Sequence, residues 1–248
     1  MSKLTSDINQ AVVFAGGAGT RLRPITDNLP KPLASVNGVP FLDFLFQSIS
    51  DAGIRKVLML LGYKNEMIVQ RYGGSLSNGI RVEYSIGTAE DMTGRRLLNA
   101  YSSLDEHFLL MYGDNLWPIA IEEMKDLYDK TDAKILTTVF NNNYGTGEYG
   151  SENNIEVSEG SIVCNYDKTR KSKGLNGVDI GYFIVQKDIL DQTLEGNVSF
   201  EEDIFNDLVQ EQQVSGYVTD TQYHYITDFR SLQAFEAFAA ANRLQYLK

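Results

Sequence analysis

The sequence is poor in the residues from which covalent staples, metal cages and membrane spans are made. Its 248 residues include one cysteine, Cys164, and two histidines, His107 and His224. One thiol forms no intramolecular disulfide, and so few ligands build neither a thiolate zinc cage nor a histidine-based metal site. No apolar run approaches the roughly 18 residues that a membrane helix needs. The first ten residues, from Met1 to Gln10, lack the apolar stretch of a signal peptide. Positive charge is also scarce: 22 Lys and Arg face 33 Asp and Glu, a formal net charge of −11. That balance argues against a general nucleic-acid or anionic-membrane binder, because phosphate backbones are held by basic surfaces. Together these absences predict a soluble cytoplasmic protein.

What is present is an ordinary globular composition, 43% hydrophobic and 22% charged. A chain of this length buries about three quarters of its surface and needs no staples. Short apolar runs bounded by glycine, at 11–15, 56–61 and 107–112, read as buried strands, with alternating or apolar stretches at 81–86, 133–140 and 178–185 as further strands. Helical spacing falls between them, at 41–49, 64–71, 94–101 and 119–130, and later near 186–193 and 200–211. Short strands are expected near 213–218 and 222–226. A closing amphipathic helix, 229–247, carries Leu232, Phe235, Phe238 and Ala239 on one face. It suits either its own core or a second copy of the chain, so a homo-oligomer stays open. Strands alternating with helices predict a single α/β domain with a mostly parallel sheet and a ligand site at the strands' C-terminal edge. Between 141 and 175 the composition shifts to Asn, Gly, Ser and Lys, read as a small antiparallel insertion, with Cys164 as an apolar filler.

The most informative stretch is Phe14-Ala15-Gly16-Gly17-Ala18-Gly19-Thr20-Arg21-Leu22-Arg23-Pro24, followed by Pro30-Lys31-Pro32-Leu33. Glycines after a strand let the backbone approach a ligand and present N–H groups to an anion. Arg21 and Arg23 offer planar forks for phosphate, and Lys31 a movable point charge. Three cations against Asp27 make residues 11–31 locally positive in an acidic chain. Two other glycine-loop readings fail. An ATP-binding P-loop ends in Gly-Lys-Ser/Thr, whereas Gly19-Thr20-Arg21 stands here. A dinucleotide fingerprint needs a small residue where Leu22 stands.

This block, with Pro40-Phe41-Leu42, Leu61-Gly62-Tyr63, Tyr112-Gly113-Asp114-Asn115, Asp179-Ile180-Gly181-Tyr182-Phe183 and Ser199-Phe200-Glu201-Glu202-Asp203, resembles the signature of sugar-1-phosphate nucleotidyltransferases, the nucleotide-sugar pyrophosphorylases. The likeness runs along nearly the whole chain. It implies a Rossmann-like domain, a mostly parallel mixed sheet sandwiched by helices, with the insertion carrying part of the acceptor site. It also implies a Mg2+-dependent reaction of a nucleoside triphosphate with a sugar 1-phosphate. Ala15, Gly16, Gly17, Gly19, Thr20 and Gly94 would bind the nucleotide, and Arg21 and Lys31 would be catalytic. Asp114 matches the family's metal aspartate, though a turn aspartate in that place is the plainer alternative. Asp228 matches a second metal aspartate only after a shift of one or two residues, and serves equally as a helix N-cap. Lys168 matches a sugar-phosphate lysine, against a merely solvated one. Asp179 and Glu201 are candidate sugar-hydroxyl acceptors. Arg95 and Arg96 depart from the small residues many relatives carry near the base. The 92–96 segment looks like glucose-1-phosphate cytidylyltransferases, and the glycine–arginine block like mannose- or heptose-1-phosphate guanylyltransferases. A non-sugar acceptor such as phosphocholine, or a weakly catalytic sugar-nucleotide-binding regulatory subunit, are the competing readings.

Overall fold

The computed structural model describes residues 7–246. The β-branched run Val12-Val13 lies in the first strand, β1 (Gln10–Ala15), and every residue of it is buried. A short helix, α1 (Ile25–Asn28), and the strand pair β2 (Ser35–Val36) and β3 (Val39–Pro40) lead to α2 (Phe41–Asp51), which starts directly after Pro40. There follow β4 (Lys56–Leu61), α3 (Asn65–Tyr72), β5 (Arg81–Ile86), α4 (Thr93–Asn99) and β6 (His107–Tyr112). Next come β7 (Asn115–Leu116), α5 (Ile121–Tyr128), β8 (Ile135–Phe140), β9 (Ile155–Val157), β10 (Val163–Tyr166) and β11 (Val178–Gln186). A π-helical turn, Glu201–Phe205, runs into α6 (Asn206–Gln210), and β12 (Val214–Thr219), β13 (His224–Tyr225) and α7 (Phe229–Asn242) complete the order.

Seven strands form one sheet in the order β12-β8-β11-β6-β1-β4-β5. Every pairing is parallel except the two made by β11, which runs against β6 and β8. Both faces are covered, which is why these strands read as continuous apolar runs instead of alternating ones. Ala11, Val13 and Ala15 of β1 face a core shared with α2, α5 and α7, while Val12 and Phe14 face a second core with Leu97, Phe183, Phe200 and Phe205. From β1 the chain winds outward through β4 to β5 and then returns to the other side of β1 as β6. The edge above β1 and β6 is therefore a topological switch point, where α/β sheets leave a crevice.

Three details differ from the sequence reading. The stretch near 186–193 holds only a 3-10 turn at Lys187–Ile189, because β11 continues to Gln186 and the backbone is extended again at Leu190. The last helix stops at Asn242, where Arg243 turns left-handed, and the expected extension reaches Leu247, outside the described residues. Cys164 is exposed, not a core filler, since on the short β10 it is the preceding residue, Val163, that takes the buried position. The last helix packs on its own core through Leu232, Phe235 and Ala239, with the Phe235 ring edge-on to Phe41 and Phe44. No described helix is long and apolar enough to cross a membrane.

Candidate active site

A cleft of about 420 Å3 opens at this switch point. Its floor is the end of β1 and the glycine turn, its sides the residues after β6 and the start of α4. Of the residues picked from sequence, Ala15, Gly16, Gly17, Gly19, Thr20, Arg21, Lys31, Asp114, Lys168 and Glu201 all line it. Gly94, Asp179 and Asp228 are not among its walls. A second hollow, about 630 Å3 between α2 and α7, has no lysine or arginine in its lining, which makes it a poor host for phosphates.

Strand ends place the charged groups. The Gly113 N–H donates to the Phe14 carbonyl at 2.9 Å, locking β6 to β1 one residue before Asp114. The Ile226 N–H donates to the Asp114 carbonyl at 3.1 Å from the other side. Asp114 is thus fixed by its backbone, and its Oδ2 receives Lys31 Nζ at 2.6 Å. The pair is shielded but not sealed, with side-chain exposures of 12% for Lys31 and 30% for Asp114. Arg21 is different: its side chain is 62% exposed, it donates to the Tyr149 hydroxyl at 3.3 Å, and Glu148 lies 3.7 Å away. Glu148 in turn accepts from the Thr227 hydroxyl at 2.7 Å. Glu148 and Tyr149, on a glycine-rich loop of the insertion, were not singled out by the sequence reading. Nothing local marks them, because the contact spans more than a hundred residues of chain.

Lys168 reaches the cleft and pairs with Glu202 at 3.2 Å, while neighbouring Asp167 caps its own loop, accepting from Thr169 and Ser172. Those hydrogen bonds hold the Asp167 carboxyl well below the usual range. Glu201 is gripped by three hydroxyls: Thr93 at 2.7 Å, Ser199 at 3.0 Å, and Tyr112, which donates to its other oxygen. Burial, then the Glu201 charge, pushes the Tyr112 hydroxyl far up. Gly94 is needed for packing, since a Cβ there would come within 2.9 Å of Val198 and 3.0 Å of the Phe200 nitrogen. Asp228 is the N-cap of α7 in a capping box: Ser231 N–H donates to its Oδ1 at 2.8 Å, and the Asp228 N–H donates to Ser231 Oγ at 2.9 Å. That backbone bond holds the Asp228 carboxyl below its ordinary value. His224 stacks on Phe238 with ring centres 3.7 Å apart, and burial lowers it to about 4, so it is neutral at pH 7.

Asp179 sits behind the cleft on β11, its Oδ1 accepting from the Thr137 hydroxyl at 2.9 Å and the Gly181 N–H at 3.0 Å. Burial outweighs those bonds and raises it to about 6 from 3.8. The folded protein therefore binds a proton here that the unfolded chain has lost, and stability falls as pH rises from about 4 through 6. In Asp179→Asn that segment of the pH dependence should flatten. Urea midpoints at pH 4 and pH 7 check it, and an unchanged slope would remove Asp179 as its source.

Among the described residues no group of three or more His, Cys, Asp or Glu is placed to hold a metal ion. Magnesium does not require one, because it commonly takes one or two carboxylates together with substrate phosphates. Asp114 offers hard carboxylate oxygen inside the cleft, and the Arg21 guanidinium feels the charges of both Asp114 and Asp228. The donor set fits a magnesium ion that arrives with a triphosphate.

A doubly covered α/β sheet with a glycine turn, a buried-edge lysine and a carboxylate at its switch point defines a phosphate-handling domain. The chain belongs to the nucleotidyl transferase family, whose profile matches residues 10–239. It is 28% identical over 230 residues to the D-glycero-alpha-D-manno-heptose 1-phosphate guanylyltransferase of Aneurinibacillus thermoaerophilus, covering 90% of this chain and 96% of that protein. It is 31% identical over 195 residues to the enzyme of that name from Campylobacter jejuni, covering 78% and 83%. Among solved structures, HddC from Yersinia pseudotuberculosis complexed with GMP-PN shares the fold with a TM-score of 0.73 at 21% identity, covering 93% of this chain and all of that one.

Proposed function

We propose that the protein transfers a nucleotidyl group from a nucleoside triphosphate to a sugar 1-phosphate, with GTP and a heptose 1-phosphate as the first pair to try. The observation that carries this reading is the Lys31–Asp114 pair at 2.6 Å, facing the glycine turn across one cleft in a chain of this family. A phosphate oxygen of the sugar phosphate attacks the α-phosphorus, the bond to the bridging oxygen breaks, and pyrophosphate leaves with its electron pair. No protein nucleophile is needed, and positioning with charge neutralisation supplies the rate. Backbone N–H groups of Gly16, Gly17, Gly19 and Thr20 cradle the triphosphate beside Ala15, and Gly94 lets α4 close on the base side. Arg21 neutralises charge on departing pyrophosphate, and Lys31 steadies the α-phosphate or the incoming phosphate. Lys168 and Glu201, backed by Asp179, face the acceptor. Asp114, with Asp228, would hold Mg2+, which when bound screens the phosphate charges that repel each other.

Four triphosphates crossed with several sugar 1-phosphates and phosphocholine, read by pyrophosphate release, test the reading. Triphosphate binding without release in every combination would leave a regulatory, ligand-binding role, and release with phosphocholine alone would move the acceptor to a non-sugar phosphate. Arg21→Ala should lower turnover about 100- to 1000-fold, because its loss leaves leaving-group charge unpaired. A variant near wild-type turnover would strip Arg21 of this part.

A further inference from the structure

Arg96 is a buried arginine whose three hydrogen bonds all go to backbone carbonyls: Leu61 at 2.8 Å, Thr88 at 2.8 Å and Gly16 at 3.2 Å. It thereby joins the end of β4, the loop after β5 and the glycine turn. Its neighbour Arg95 turns the opposite way, to the carbonyls of Gly196 and Leu194. The Gly16 carbonyl accepts a second bond, from the Tyr63 N–H at 2.9 Å. Gly16 itself is buried, and a Cβ on it would overlap the Arg96 guanidinium. In a trans peptide the carbonyl of one residue and the N–H of the next point in opposite directions. Holding the Gly16 oxygen inward therefore turns the Gly17 N–H outward. Gly17 is exposed, lines the cleft, and has open space around the position a Cβ would take.

We infer that Arg96 is a positioning residue that clamps the Gly16–Gly17 peptide plane so that the Gly17 N–H is aimed at a triphosphate oxygen. The inference rests on the triphosphate-binding reading of the cleft. Donors aimed in advance cost no reorganisation during the reaction, whereas a peptide free to rotate presents its carbonyl part of the time and repels the anion. Arg96 needs a planar fork for this task, since its bonds leave from two separated nitrogens, one to Leu61 and the other to Gly16 and Thr88, whereas a lysine would have to donate from a single atom.

The wild-type protein, labelled with 15N-glycine and titrated with magnesium and triphosphate, gives the first readout, with Gly17→Ala assigning its resonance. The Gly17 amide should shift on binding. If pyrophosphate is released while that amide stays still, the inference falls and the enzyme reading stands; if no triphosphate binds at all, the enzyme reading falls. In Arg96→Ala, turnover should drop about 100-fold, the Gly17 response should vanish, and added guanidinium should restore both. Folded Arg96→Ala with wild-type turnover, or with a loss that guanidinium leaves untouched, overturns the clamp. Should the alanine variant not fold, Arg96→Lys carries the same expectation of lost turnover, and wild-type activity in it has the same overturning force.

Discussion

Asp114→Ala is expected to lower turnover by about a thousandfold, several kcal/mol of charge stabilisation. Two losses coincide. The substitution removes the carboxylate oxygens proposed to hold magnesium, and it strips Lys31 Nζ of the partner it holds at 2.6 Å. The bond that the residue 114 carbonyl accepts from the Ile226 N–H remains, and Gly113 keeps its bond to Phe14, so the fold has no reason to fail. Asp114→Asn, which keeps the shape and loses the charge, should lose nearly as much. Pyrophosphate release across a magnesium titration is the measurement, and near-normal turnover at low magnesium in either variant would dismiss Asp114 from the reaction. The same titration addresses Asp228. Asp228→Ser retains a good N-cap, so stability should hold, while the magnesium needed for half-maximal rate should rise. If that requirement does not move, Asp228 is a cap and nothing more.

Gly181→Ala should cost about 3 kcal/mol of stability or more, the sum of left-handed strain and overpacking. Gly181 lies in β11 with φ of +76°, inside the irregularity between Asp179 and Phe183 where the register against β8 shifts. A Cβ there would run into the Tyr112 ring. That ring packs against Phe14 and Phe183, and its hydroxyl donates to Glu201, so the damage should reach the cleft as well as the core. Urea unfolding gives the stability change. In a Tyr112→Ala background the same substitution should cost less, because overlap is relieved and only the backbone strain remains. Equal costs in the two backgrounds would mean that the ring is not what the methyl meets.

The legibility of the site follows distance along the chain. The glycine turn with Arg21 and Lys31 lies within one short segment, and Asp114 follows an apolar strand after a single glycine, so both could be read from residue order. In the sequence Arg96 stands out only as a departure from small residues near the base, whereas its bonds go to three carbonyls on three separate segments. No pattern in sequence announces a carbonyl acceptor, since every residue has one. Glu148 and Tyr149 share that obscurity, meeting Arg21 only because the insertion folds back over the glycine turn, and so does Thr227, whose hydroxyl holds Glu148 from the chain just before the last helix.

Residue order alone determined the alternation of strands and helices, the mostly parallel sheet and the family, because buried two-faced strands must be apolar and helices must repeat at 3.6 residues. Tertiary structure decided which way β11 runs, which glycines serve packing and which serve the cleft, and that Asp228 caps a helix. Those outcomes depend on the side chain or carbonyl standing a few ångströms away in space, and the chain supplies that neighbour only once it has folded.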